Sequence, residues 1–174
     1  MADLLIRPAS DLDADAIAGL SNALLATTTV EWRDEPHTAA SRLAWMDRHD
    51  LVLVALDADK LVGFAAYGEF RDRAGWPGYR FVVENTVHVR ESHWGTAVGR
   101  RLMEALITEA TTAGVHAMVA AVDSDNEGSI RFHERLGFAV VGRLSQVGAK
   151  HGRWLDLVLL ERLLDDRPVP PEEI

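Results

Sequence analysis

Glu84 to Gly99 reads ENTVHVRESHWGTAVG, and the fold follows from how that stretch is parsed. Val87 and Val89 alternate with polar neighbours, as on a strand, and the run then empties into a loop with Gly95 and Gly99 around Thr96, Ala97 and Val98. Immediately afterwards, Arg100 to Ala113 carries Leu102, Met103, Leu106, Ile107 and Ala110 on one face at helical period. Strand, glycine turn and helix start together make an anion site. Amide N–H groups in the first helical turn lack intrahelical partners, and the helix dipole adds to their attraction for a phosphate.

On the N-terminal side, Leu4 to Arg7 reads as a short strand ended by Pro8, and Asp11 to Leu25 as a helix with Leu12, Ile17, Leu20 and Leu24 at its spacings. Thr27 to Pro36, TTTVEWRDEP, reads as a pocket-lining loop, followed by a helix over Ala39 to His49. Leu51 to Leu56, the polar turn Asp57 to Lys60 and Leu61 to Tyr67 make a hairpin. After the punctuated loop Gly68 to Tyr79, a third strand returns over Arg80 to Arg90. On the C-terminal side Gly114 stops the helix, Val115 to Val122 reads as a buried strand, and Asp125 to Gly137 as a helix. Phe138 to Arg143 and Trp154 to Leu160 read as strands joined by the loop SQVGAKHGRW. The expected fold is α/β: a mixed, mostly antiparallel sheet with helices on both faces. Residues 1–165 form its single domain, and the proline-rich stretch 166–174 is expected to be a mobile tail.

With 174 residues and 48% hydrophobic content, one real core is expected. Eighteen Lys and Arg against 27 Asp and Glu give −9, which disfavours nucleic acid as a partner. No apolar run approaches the roughly 20 residues of a membrane span, and the first residues do not resemble a signal peptide, so a soluble cytoplasmic protein without membrane association is expected. The absence of cysteine excludes a thiol nucleophile and thiolate metal ligands. The seven histidines show no tight ligand pair, so no metal is expected.

The element order, the glycine loop after the fourth strand and the later NEGSIRFHERLGF resemble the GNAT acetyl-CoA-dependent N-acetyltransferases over about the whole chain. VENTVHV, DSDNEGSIRFHERLGF and VGAKHGRWLDLVLL are similar to the branch acting on phosphinothricin and methionine sulfone or sulfoximine. The resemblance implies a sheet splayed between the fourth and fifth strands, with acetyl-CoA in the gap as co-substrate. Pantetheine would bond backbone around Val87, His88 and Val89, and pyrophosphate would meet amides from Trp94 through Gly95, Thr96, Ala97, Val98 and Gly99 to Arg100. It also implies a homodimer and a small-molecule amine substrate. Trp94 and Ala97 depart from the family loop, which usually has Gln or Arg and a glycine there, and an Ala forced to positive φ would cost roughly 1–2 kcal/mol.

Acetyl transfer to an amine needs a proton acceptor, because only the neutral amine attacks the thioester. Glu84, inside an otherwise apolar strand, is the candidate base; the alternative is an exposed or Arg-paired carboxylate. Asn85 faces the other way and is expected to be structural. His133 stands where the family carries a tyrosine that protonates the departing thiolate, with a histidine bonded to CoA or water as the alternative. Asn126 and Ser129 suit contacts to the cofactor, and Asn126 equally suits a helix cap. Arg71 and Arg80 are candidates for the substrate carboxylate, or for surface ion pairs. Trp32 and Phe70 are candidate apolar walls, or core. Lys150, His151 and Trp154 fall in the branch signature, with subunit packing and pocket closure both open. The same chemistry would serve a protein N-terminus or lysine, and a CoA-binding protein without turnover is the remaining alternative.

Overall fold

The structure, a computed structural model, describes residues 4–171; the remaining residues of the expected tail, 172–174, lie outside it. Among the described residues, seven strands form one sheet in the order β1-β2-β3-β4-β5-β7-β6. They are β1 (Leu5–Pro8), β2 (His49–Asp57), β3 (Lys60–Glu69), β4 (Val82–Val89), β5 (Ala117–Asp123), β6 (Ala139–Lys150) and β7 (Arg153–Leu163). Every pairing is antiparallel except β4 with β5. The helices are α1 (Ala14–Thr27), α2 (Ala39–Met46), α3 (Val98–Thr112) and α4 (Glu127–Arg135).

Alternation along β2 and β3 sends successive residues to opposite faces, and each face has its own core. Val52, Val54 and Phe64 pack with Ile17, Leu20 and Leu24 of α1. Leu53, Ala55 and Val62 pack with Leu102, Met103 and Leu106 of α3. Full burial of such a side chain contributes roughly 1.5–3 kcal/mol, so the two faces together hold α1 and α3 on opposite sides of the sheet.

Several boundaries differ from the sequence reading. Asp11–Asp13 is a 3-10 turn leading into α1, stabilised by Asp13, whose carboxylate takes a forked bond from Arg7 at 2.8 Å on each side. That pairing holds Asp13 down at about 2. The second helix stops at Met46, and His49 already belongs to β2. The stretch read as the loop SQVGAKHGRW is mostly strand: β6 runs on to Lys150 and turns through His151 and Gly152, both at positive φ, into β7. A bulge at Gln146, φ 55, breaks the alternation there, and Asp156 Oδ1 accepts from its amide at 2.8 Å.

Candidate active site

β4 and β5 pair only from Val82↔Ala117 to Glu84↔Val119. Beyond that point β4 stays with β3 as far as Val89, while β5 stays with β7 as far as Asp123, so the two central strands part. The backbone of residues 85–89 therefore faces the gap without a partner strand. Asn85 sits at the fork, buried, with its Nδ2 donating to Val119 O across the gap at 2.9 Å.

A cavity of about 380 Å³ occupies the gap. Glu84 to His88 line one side and Ala120 to Asp123 the other. Asn126, Ser129 and His133 come from α4, whereas Val30, Glu31, Arg33, His37, Arg42 and Trp45 come from the α1–α2 loop and α2. Glu84 lies at the point of parting, and burial alone pushes its carboxyl above the usual range. A base raised in this way holds a proton more readily than a free glutamate.

His133 is buried, with Nδ1 2.9 Å from Ser129 O and Nε2 3.3 Å from Asn85 Oδ1. Both ring nitrogens thus face oxygen acceptors, which only the imidazolium satisfies together. Burial works against that charge and carries the net direction below the ordinary value, with the Ser129 carbonyl opposing it. Asn126 caps α4: its Oδ1 accepts from Ser129 N at 3.1 Å.

The glycine loop folds without the strain expected of it. Ala97 lies at φ −75, in ordinary helical space, and only Gly95, at φ 73, occupies the left-handed region. The first backbone bond of α3 runs from Arg101 N to Ala97 O at 2.9 Å, so the Gly99 and Arg100 amides before it have no acceptor within the helix, while Val98 N lies 3.4 Å from Thr96 Oγ1. Trp94 is exposed and turns its Nε1 back onto Val89 O at 2.8 Å, while Thr96 Oγ1 donates to His93 O at 2.6 Å. Arg100 pairs with Glu104 at 3.2 Å on the surface. Gly99 sits against Val89 and Phe132, which brings the loop to the end of β4.

Of the residues singled out in the sequence, Glu84, Val87, His88, Asn126, Ser129 and His133 meet at the cavity. The His88 imidazole lies on the α1–α2 side, 5.0 Å from the Phe64 ring and 3.7 Å from Glu31 Oε1. Val89 and residues 94–100 flank the gap without lining the cavity. Trp32 packs on Gly148 of β6 instead of the cavity. Phe70, Arg71 and Arg80 also lie outside its lining: Arg71 rests on the rings of Phe70 and Tyr79, and Arg80 stacks on Phe81 with its centre 4.6 Å from the ring.

A charged cluster over the cavity, formed by Glu31, Arg33, His37 and Arg42, has no counterpart among the residues that stand out in the sequence. Glu31 accepts from Arg42 Nη2 at 2.8 Å and from His37 Nε2 at 2.6 Å, and Arg33 Nη1 donates to His37 Nδ1 at 3.2 Å. That pattern fixes neutral His37 with its proton on Nε2. Burial lowers His37 and, to about 4, His88; Glu31 is also lowered, Arg42 and the two histidines outweighing its burial. The residue types in TTTVEWRDEP signalled a pocket loop, but nothing local ties Glu31 to a helical arginine.

The Acetyltransferase (GNAT) family model matches residues 17–138. An L-methionine sulfoximine/L-methionine sulfone acetyltransferase of Pseudomonas aeruginosa is 41% identical over 165 residues, covering 92% of this chain and 94% of that one. A phosphinothricin N-acetyltransferase of Streptomyces viridochromogenes is 31% identical over 175 residues, covering 97% and 92%. The solved structure of yncA from Salmonella typhimurium, with its cofactor acetyl-CoA, superposes with a TM-score of 0.90 at 37% identity, covering 97% and 98%. The parted central strands, the unstrained glycine loop at their end and these matches agree: the chain belongs to the GNAT family of acetyltransferases.

Proposed function

We propose that this protein transfers the acetyl group of acetyl-CoA directly to the α-amino group of a small amino acid or analogue of the methionine sulfone, methionine sulfoximine or phosphinothricin type. The observation that carries the reading is Glu84, a carboxylate made more basic by burial, at the fork of β4 and β5 and lining the cavity between the parted strands. Relatives named for those acceptors support the substrate class. The residues fit acetyl-CoA: residues 85–88 have no partner strand on the gap side, where the pantetheine amides would bond, and the Gly99 and Arg100 amides at the open end of α3 would meet the pyrophosphate.

In this reading Glu84 takes a proton from the acceptor ammonium, directly or through one water, and the freed amine attacks the thioester carbonyl. A backbone N–H near Val87 stabilises the oxyanion. His133, held between Ser129 and Asn85, gives a proton to the departing thiolate and takes back the second proton that the acylated nitrogen sheds. The carboxylate of the acceptor is met by a guanidinium. Arg71 and Arg80 were the sequence candidates, but Arg33 and Arg42 are the arginines that reach the cavity.

The chain works as a cytoplasmic homodimer in this proposal. Val140, Val141, Leu144, Val147 and Trp154 are exposed on the edge hairpin β6–β7, an apolar surface that a second copy would cover. Light scattering at micromolar concentration should give twice the chain mass, and a monomer mass would remove the dimer. The substrate class is tested by a screen of free amino acids, their oxidised analogues, their carboxamides and short peptides, following CoA release. Saturable turnover of methionine sulfone or phosphinothricin above peptides is expected, and turnover of peptides alone would replace the small-acceptor reading with a protein-acetylating one.

A further inference from the structure

Lys150 is buried at the end of β6 and spends its whole ammonium on backbone. Its Nζ lies 3.0 Å from Leu25 O, 2.9 Å from Thr28 O and 2.9 Å from Glu31 O, three acceptors for three donors. Leu25 belongs to the last turn of α1 and Thr28 is its C-cap, where a cation also meets the negative end of the helix dipole. Glu31 lies in the connection to α2, whose side chains Glu31 and Arg33 roof the cavity.

Two further contacts fix the same connection. Gly148, two residues before Lys150 and so on the same face of β6, lies directly under the Trp32 indole, and a Cβ there would overlap the ring. At the far end, Asn22 of α1 holds the His37 backbone at both its groups, Nδ2 to His37 O at 2.9 Å and Oδ1 from His37 N at 2.7 Å. The connection is therefore pinned at its start by Lys150, in its middle by Gly148 and at its end by Asn22.

We infer that Lys150 and Gly148 are positioning residues for the acceptor: they set the α1–α2 connection against the β6–β7 hairpin, so that the Glu31–Arg42–His37 cluster presents one fixed wall to the incoming amino acid. The inference rests on the acetyl-transfer reading for its substrate and on geometry for its mechanism. Neither residue is among those lining the cavity, and the connection packs on the α1 side of the sheet whereas the glycine loop opens α3 on the opposite side, so their effect falls on the acceptor and not on acetyl-CoA.

The test compares Lys150→Met, which keeps the stem and removes the donors, with Gly148→Ala, which keeps the ammonium and displaces Trp32. Each should raise KM for L-methionine sulfone about ten-fold or more while KM for acetyl-CoA stays within about two-fold. A residue that merely supports the fold would lower the melting temperature and move both constants together. Hydrogen exchange adds a readout that needs no substrate: amides of residues 28–38 should exchange faster in both variants, and those of residues 94–100 should not. If Lys150→Met does not fold, Gly148→Ala decides alone. Unchanged acceptor KM in a folded variant, or equal rises in both constants, overturns the inference. If the wild type acetylates no free amino acid, the substrate reading has failed, and unchanged exchange over residues 28–38 then overturns the positioning role by itself.

Discussion

Two carboxylates in this chain show how surroundings assign work to one chemical group. Asp13 is held at about 2 by the forked Arg7 contact, whereas Glu84 is raised by burial with no opposing cause. The first is a fixed charge, the second a base. Glu84→Gln keeps the shape and removes the base, so kcat should fall by about 100-fold or more with acetyl-CoA affinity nearly unchanged. The wild-type rate should climb as pH rises through the elevated Glu84 value, since the ionised form is the active one, and the Gln variant should lose that limb. Steady-state kinetics across pH check both, and unchanged turnover would make Glu84 structural. Glu84 was legible in the sequence because a charge inside an apolar strand stands out locally. Glu31 was not, since its meaning comes from Arg42, eleven residues on, and from His88 on a different element.

Elements followed the sequence where one periodicity ran unbroken. α3 was readable from its apolar stripe, and β2, β3 and β5 from their apolar runs. β6 was misread because Gln146 bulges and Gly148 interrupts, two features whose purpose lies in Asp156 and Trp32 across space. The β2–β3 turn hides a strain of the same non-local kind. Ala58 sits at φ 47 and Asp59 at φ 65, a tight hairpin turn that normally selects Asn or Gly at its first position. Ala58→Gly relieves a left-handed cost of roughly 1–2 kcal/mol and adds back part of it as unfolded-chain entropy. Chemical denaturation should therefore find the variant more stable by about 0.5–1 kcal/mol, and a less stable variant would show that the turn is not strained.

Across the whole molecule four buried or half-buried histidines make folding stability depend on mildly acidic pH. His37, His49, His88 and His133 are all lowered, and burial is the largest cause for each. For His88, at about 4 against an ordinary 6.5, the unfolded chain binds the proton first. The stability is therefore whole above about 6.5 and declines as pH falls toward about 4, by about 2 kcal/mol from His88 alone between pH 7 and 5. Urea melts at those two pH values should show the loss, and His88→Asn should make it smaller; an equal loss in the variant would place the effect elsewhere. The central claim concerns the intact enzyme, and product identification tests it most directly. Purified protein is given acetyl-CoA and L-methionine sulfone, and the product is examined by mass spectrometry alongside CoA release. The expected result is acetyl on the α-nitrogen, one CoA freed for each product molecule. Release of CoA no faster than without the acceptor, or acetyl found only on protein amines, would contradict it.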